Sequence, residues 1–320
     1  MSNEITRREF VAAASVACAL TACSARQHRV ASRVSVVRAP HYDQTLYETV
    51  RRMLGEHGLE IRGKRVVLKP NLVEFDTNAA INTHPMLVHA AYEAFRALGA
   101  ADVRIAEGPG HRRITLDLAE EAGYFSTFSS FATAFTDLNL DEVTQVAISR
   151  PKSKLASLYL PVTVRDCDLL VSMPKMKTHH WAGATLSMKN LFGVVPGGVY
   201  GWPKNVLHWA GIHESIADLY SLFPNTFAIV DGIVGMEGNG PIQGTAKPAG
   251  VLVAGSDLAA VDATCCRIMG IDPARIGYLH LAAADRIAHT DIQQIGESLR
   301  SVRTDFALLP TFAPLRLNAS

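Results

Sequence analysis

The chain has 320 residues, 48% of them apolar and 19% charged, which is enough to bury a full globular core. Its formal net charge is +1 with no basic block, so the electrostatic footprint of a nucleic-acid binder is missing and no nucleic acid is expected as a partner. The five cysteines include no CxxC, which argues against structural zinc and against a four-cysteine iron–sulfur cluster within this chain.

Residues 1–22 read as an export signal. Thr6-Arg7-Arg8-Glu9-Phe10 precedes the apolar run Val11 to Leu20, too short to span a bilayer as a retained helix. The pattern resembles a twin-arginine signal, and Leu20-Thr21-Ala22-Cys23 resembles a lipobox, where cleavage leaves a lipidated cysteine. On this basis the protein is expected in the cell envelope, exported by the twin-arginine machinery and held on the membrane through Cys23. Lipid on Cys23 would leave Cys167, Cys265 and Cys266, an odd number for a disulfide framework.

A polar linker is expected over residues 23–32, an α/β domain over 33–290, and a C-terminal tail region over 291–320. Val34–Val37 predicts the first strand and Thr45–Gly55 a helix; Arg65–Lys69 predicts the second strand, ending in Lys69-Pro70-Asn71. Pro85 suits the first turn of a helix whose apolar face is Val88, Ala91, Tyr92, Phe95 and Leu98, with Gly99 closing it. Asp102–Ala106 predicts a strand that runs into Glu107-Gly108-Pro109-Gly110, and a helix follows near 116–122. Cys167 to Met173 reads as a strand buried on both faces, which Pro174 ends for want of an N–H. Phe227–Val230 is another such strand, with a glycine-rich loop over 232–248. A strand at Gly250–Ala254 then leads to Asp257, an N-cap for a helix to about Met269. A last helical region is expected over 276–289. Strands alternating with helices at this spacing predict a mostly parallel sheet flanked by helices, with room for a smaller second lobe.

The segment from Met173 to Ser215 stands apart. It holds all three tryptophans, four of the twelve histidines and four lysines, and it contains HWAG twice, at 180–183 and 208–211. Side chains this polar and aromatic suit a pocket better than a core. Extended chain after Pro174 would put Lys175, Lys177 and His179 on one side. A helix from Ala184 with the stripe Ala184, Met188, Leu191 and Val195 would place Lys189 off its apolar face. Polar residues also follow most of the other strands: Lys69 and Asn71, Glu107, Asp231 and Asp257. In open α/β sheets the carboxyl ends of strands form the rim where ligands bind. Adjacent His179 and His180 are not expected to face one point in extended chain. No HExxH, GxGxxG, Walker-type or GxSxG motif is present, which weakens metalloprotease, nucleotide-binding and α/β-hydrolase readings.

Seven segments, VVLKPNLV (66–73), THP (83–85), EGPG (107–110), PKMKTH (174–179), LSMKNLFGVVPG (186–197), VDGIVGMEGNGP (230–241) and AAVDATCC (259–266), together resemble the bacterial and archaeal domain-of-unknown-function family numbered 362. The resemblance runs from about residue 33 to 280 and implies an α/β fold with little settled chemistry. Some relatives carry ferredoxin-type cysteines that this chain lacks. More distantly, His179-His180-Trp181-Ala182-Gly183, with Lys189 six residues on, is similar to a segment of nickel-pincer lactate racemases. That resemblance implies His179 as an acid/base residue or ligand and Lys189 as a cofactor tether, although Ser187-Met188 replace two glycines there.

Taken together, these residues suggest an enzyme acting on a small anionic ligand, a carboxylate or phosphate, by isomerase-like, racemase-like or metal-assisted chemistry. Lys69, Asn71, Lys175 and Lys177 would bind substrate, and His179 and Lys189 would be catalytic. His179, His208, Asp231 and Glu237 form a candidate metal set, and the cofactor expectation extends to a divalent metal or an organometallic group. A non-catalytic anion- or metal-binding lipoprotein, and a redox protein working with an iron–sulfur partner, are the alternative classes.

Overall fold

The computed structural model describes residues 31–111, 113–283 and 291–318. The chain divides after Ala31 into two units, and the second, from Ser32, carries all the described strands and helices. The expected signal peptide, Cys23 and the final part of the 276–289 helix lie outside the described residues.

The strands are β1 (Ser32–Arg38), β2 (Arg65–Pro70), β3 (Asp102–Glu107), β4 (Phe135–Asp137), β5 (Val143–Ala147), β6 (Ser157–Pro161), β7 (Leu169–Met173), β8 (Lys175–His179), β9 (Gly183–Thr185), β10 (Thr226–Glu237), β11 (Thr245–Gly255) and β12 (Ile292–Gly296). The main sheet has the order β12-β1-β11-β10-β7-β2-β3-β4, with β8 and β9 attached beside β10, and β5 and β6 form a separate antiparallel pair. Along the main path β11 alone runs against its neighbours, so the expected mostly parallel sheet is the one observed.

Period-2 alternation splits the strand side chains between two cores. Val67, Leu170, Val230 and Val253 face one layer of helices, including α3 (Ile212–Leu222) and α4 (Leu258–Ile268). Val66, Leu68, Val171, Ile229 and Leu252 face the other, which contains α1 (Leu46–Glu56) and α2 (Pro85–Ala97). Each fully buried aliphatic side chain in these layers contributes about 1.5–3 kcal/mol. The two helix starts read from sequence are present. Pro85 follows the N-cap His84, whose Nδ1 accepts the Met86 N–H at 3.2 Å, and Asp257 caps α4 through the N–H groups of Ala259 and Ala260.

Several expectations fail for identifiable reasons. The 232–248 stretch is not one long loop: β10 continues to Glu237 and returns in β11, leaving a connection of only 238–244. Glycine in a strand depresses β-propensity, but here Gly232 and Gly235 allow close packing, since a methyl group on Gly235 would collide with the Met176 carbonyl and the Phe306 ring. The segment from 291 is not a tail, because β12 pairs in parallel with β1 and Phe306 is fully buried. The helix predicted from Ala184 is broken into β9, one turn over Ser187–Asn190 and a 3-10 turn over Leu191–Val194. Because β11 is antiparallel to β10, Asp257 lies at the opposite end of the sheet from Lys69 and Glu107, beside the start of β10.

Candidate functional site

The site forms where the chain changes direction across the sheet: β2 and β3 lead one way, β7 and β10 the other, and the crevice lies beyond their carboxyl ends. At its floor is a buried ion pair. Lys69 Nζ donates to Glu107 Oε2 at 2.6 Å, to the Pro70 carbonyl at 3.0 Å and to Asn190 Oδ1 at 3.2 Å. The same carboxylate accepts the backbone N–H groups of Leu72 and Gly108. Gly193 is packed so tightly on this pair that a methyl group there would overlap both the Glu107 carboxylate and the Lys69 ammonium.

The turn Ser187–Asn190 brings two more groups. Asp262 of α4 accepts the N–H of Ser187 at 2.7 Å and of Met188 at 3.1 Å, together with the Ser187 hydroxyl, which pins the start of the turn from outside. Burial pushes the Asp262 carboxyl up to about 7, and these hydrogen bonds oppose the shift. Asn190 Nδ2 donates to the Lys69 carbonyl and to Ser172 Oγ, tying the turn to β2 and β7. Between these anchors Lys189 projects into a cavity of about 110 Å³, which Lys69, Lys177, Lys204, Glu107, Asn71, Thr185, His179 and His208 also line. A wider space of about 370 Å³ shares His179, Lys189 and His208 with it and opens past the exposed Trp181.

The lysines are not equivalent. Lys177 Nζ donates to the carbonyls of Ile81 at 2.9 Å and Pro241 at 3.2 Å, and Lys204 Nζ to the Gly108 carbonyl at 2.5 Å. Lys204 has a positive φ of 63°, uncommon for a residue with a side chain. Nζ of Lys189 has no hydrogen bond or carboxylate partner among the described residues and lies over the Phe192 ring, 3.8 Å from its centroid. Burial lowers all four ammonium groups. Lys189 comes down to about 7 through burial and the charges of Lys69 and Lys204; burial likewise brings Lys204 to about 7, with Glu107 opposing. Four lysines thus share a cavity with one carboxylate, Glu107, already committed to Lys69.

His179 has a defined tautomer. Its Nδ1 accepts the N–H groups of Trp181 at 3.0 Å and Ala182 at 3.1 Å, so in the neutral ring the hydrogen sits on Nε2. Burial, followed by the charge of Lys189, holds its pKa well below the usual value, and the same two causes bring His208 to about 4. His179 therefore offers the cavity an N–H donor, with neither a lone pair for a metal nor a site for a proton. The His179 and His180 rings also stack at 5.0 Å, and both line the outer space. The separation expected for adjacent strand residues fails because the strand ends at His179.

Lys175, Asp231 and Glu237 are not in this cavity. The β8–β10 ladder is bulged, matching Asp231 to Lys175 and then Met236 to Lys177, and it separates lysines that simple alternation places together. Lys175 Nζ donates to Asp231 Oδ2 at 2.6 Å and to the Tyr42 hydroxyl at 2.9 Å, beside a different space of about 360 Å³. Asp231 also accepts from the Tyr42 hydroxyl and the His84 N–H, and Tyr42 stacks on His84 at 3.8 Å. Glu237 accepts the Ala307 N–H and pairs with Lys247. The metal set His179, His208, Asp231 and Glu237 is therefore not assembled, and among the described residues no three His, Cys, Asp or Glu side chains converge to hold a metal ion. His179, whose Nδ1 lone pair is taken by two backbone N–H groups, does not fit the ligand role that the racemase resemblance implies for it. Cys265 and Cys266 are free thiols in the core, and Cys167 is a half-buried one.

Residues 66–267, well over half of the chain, match the model of the family described as a domain of unknown function, DUF362. The chain belongs to the DUF362 family. All the cavity residues named above fall within that DUF362 span. A curated relative, a thylakoid-associated protein of Synechocystis sp., is 28% identical over 265 residues, covering 79% of each chain. Among solved structures, the lactate racemase apoprotein of Thermoanaerobacterium thermosaccharolyticum aligns at 16% identity with a TM-score of 0.46, over 75% of this chain and 58% of that one. A protein of Thermotoga maritima aligns at 11% identity and a TM-score of 0.36, over 78% and 60%. This chain spans less than two thirds of the length of either.

Lys204, Thr185 and Asn190 are site residues that were not nominated from sequence, and Glu107 was placed on the rim without a role. Glu107 had a signal, its place after a strand in EGPG. Lys204 had a weaker one, a fourth lysine in the aromatic segment. Thr185 and Asn190 had none, since their roles depend on contacts with Lys177, Lys69 and Ser172 that only the folded chain makes.

Proposed function

We infer that the cavity binds a small anion, a carboxylate or phosphate, and that the protein is an enzyme acting on it. One observation carries this reading: four lysines converge on a cavity whose single carboxylate is already paired. Buried ammonium groups without counter-charges either lose their protons or await an anion. Thr185 Oγ1 lines the cavity, is buried and has no hydrogen-bond partner among the described residues, so its hydroxyl is available to donate to an anion. Asn71 Oδ1 and His208 Nδ1 are likewise unpartnered on the cavity wall, and Asn71 Oδ1 can only accept. The Thr185 hydroxyl and the His179 Nε2–H are neutral donors for an oxygen of the ligand, and Lys177 and Lys204 supply charge. Proton transfer falls to Lys189 rather than to His179, because an amine near 7 titrates where a general base is effective.

The location we infer is export through the twin-arginine route and attachment by lipid on Cys23, which rests on Thr6-Arg7-Arg8-Glu9-Phe10 and Leu20-Thr21-Ala22-Cys23. No helix among the described residues is long and apolar enough to cross a membrane, so attachment would depend on the lipid or on residues outside them. The name of the Synechocystis relative associates that protein with a membrane system as well.

Lys189→Met tests the site. Calorimetric titration with phosphate and with short carboxylates should show affinity falling more than about tenfold, the loss of a charge-assisted contact worth roughly 1.5–3 kcal/mol, with no drop in melting temperature. Unchanged affinity, or a melted protein, would make Lys189 part of the scaffold. A turnover screen on the same ligands separates an enzyme from a carrier.

A further inference from the structure

We propose that Lys189 is a covalent amine that condenses with the carbonyl carbon of a short 2-oxo acid whose carboxylate is held by the remaining N–H groups of Lys177 and Lys204. This rests on the anion-binding reading above and narrows its substrate class. The four lysines differ in a way that singles out one of them. Lys69 is committed to Glu107, Lys177 to two backbone carbonyls and Lys204 to a third, each in a fixed geometry. Lys189 alone has an uncommitted nitrogen, set against the face of Phe192, where the ring excludes water from one side. The turn that carries it is held rigidly at both ends, by Asp262 at Ser187 and by Asn190 to β2 and β7. An amine placed beside other cations is an arrangement that activates lysine toward carbonyls, because the neighbouring charges of Lys69 and Lys204 favour its neutral, nucleophilic form.

The step balances without an oxidant or reductant. The neutral Lys189 nitrogen adds its lone pair to the carbonyl carbon as the carbon–oxygen π pair moves to oxygen, and one proton passes from that nitrogen to the oxygen to give a carbinolamine. Loss of that oxygen as water, with a proton from the Lys204 ammonium, leaves an iminium. The net change is Lys189 amine, carbonyl and Lys204 ammonium to iminium, water and a neutral Lys204 amine. The iminium then withdraws electrons from the adjacent carbon, which makes its hydrogens or its carbon–carbon bond the reacting bond. A cavity of about 110 Å³ limits the acid to a few heavy atoms, while the wider space past Trp181 admits and releases it.

Reductive trapping tests this. Mature protein is incubated with pyruvate or glyoxylate and sodium cyanoborohydride, then read by intact mass and peptide mapping, with phosphate titrated in parallel by calorimetry. The proposal expects one adduct per chain on the peptide containing Lys189, suppressed by excess phosphate. It also expects complete loss of the adduct in Lys189→Arg, which keeps a cation at that position but no nucleophilic amine. Adducts spread over exposed lysines such as Lys64, or none at all while phosphate binds, would overturn the covalent role and leave the anion site standing. Neither adduct nor phosphate binding would overturn both.

Discussion

Glu107→Gln tests the floor of the site. The substitution keeps shape but removes the charge opposite Lys69, whose ammonium is fully buried and has no other carboxylate partner. The side-chain exposures of the pair are 1% and 2%, so water cannot replace the lost partner. Breaking a buried pair from one side costs about 3–5 kcal/mol, most of it the penalty of an uncompensated buried charge. The N–H groups of Leu72 and Gly108 bind different oxygens of Glu107, so in glutamine one of them would face the amide NH2 and lose its acceptor. Urea unfolding should therefore show the midpoint falling with the m-value unchanged. Lys69→Met should destabilise as well. The double variant should lose less than the sum of the two, because neither buried charge remains. Additive losses, or a loss below about 1 kcal/mol for Glu107→Gln, would refute the coupled buried pair.

Asp231→Asn should cost about 3–5 kcal/mol by removing the charge opposite Lys175, yet leave phosphate affinity unchanged, since neither residue lines the lysine cavity; calorimetry alongside urea unfolding checks both. Stability should also follow pH in two windows. Lys189 and Lys204, depressed to about 7 in the folded state, bind fewer protons there than in the unfolded chain, so stability rises from pH 7 toward 10.5. Asp262, raised from 3.8 to about 7, acts in the other window: its contribution to stability falls as pH rises from 4 to 7. His84 and His208, lowered to about 4, and His179, held well below its usual value, bind fewer protons folded than unfolded over that same acid window and outweigh Asp262, so melting temperatures should rise from pH 4 through 7, and Asp262→Asn should steepen the acid side alone. For export, changing Arg7 and Arg8 to lysine should retain precursor in the cytoplasm, and Cys23→Ala should abolish membrane attachment; fractionation that still finds the Cys23→Ala protein on membranes would contradict the lipid anchor.

Much of the scaffold was legible because its signals are local. Buried strands read as short apolar runs, Pro85 and Asp257 marked helix starts, and Gly99 marked a helix end. The same logic found the right segment for the site, since lysines and aromatics placed directly after a buried strand have few structural uses. What it missed depends on register and direction. The bulge between Asp231 and Met236 separates Lys175 from Lys177, and the reversal of β11 carries Asp257 to the far rim. Neither is encoded in the periodicity of a single strand. The role of His179 inverted for a similar reason, because its tautomer is set by the N–H groups of Trp181 and Ala182 in a turn that sequence reads only as an aromatic run.

Whether the lysine cavity holds a small anion is tested most directly by proton-linked binding. Phosphate and a short carboxylate would be titrated calorimetrically from pH 6 to 9, in buffers of different ionisation enthalpy. An anion that settles between Lys189 and Lys204 must raise their pKa values from about 7, so binding should take up protons and weaken steadily above neutrality. Affinity independent of pH with no proton uptake, or no binding at any pH, would contradict the account.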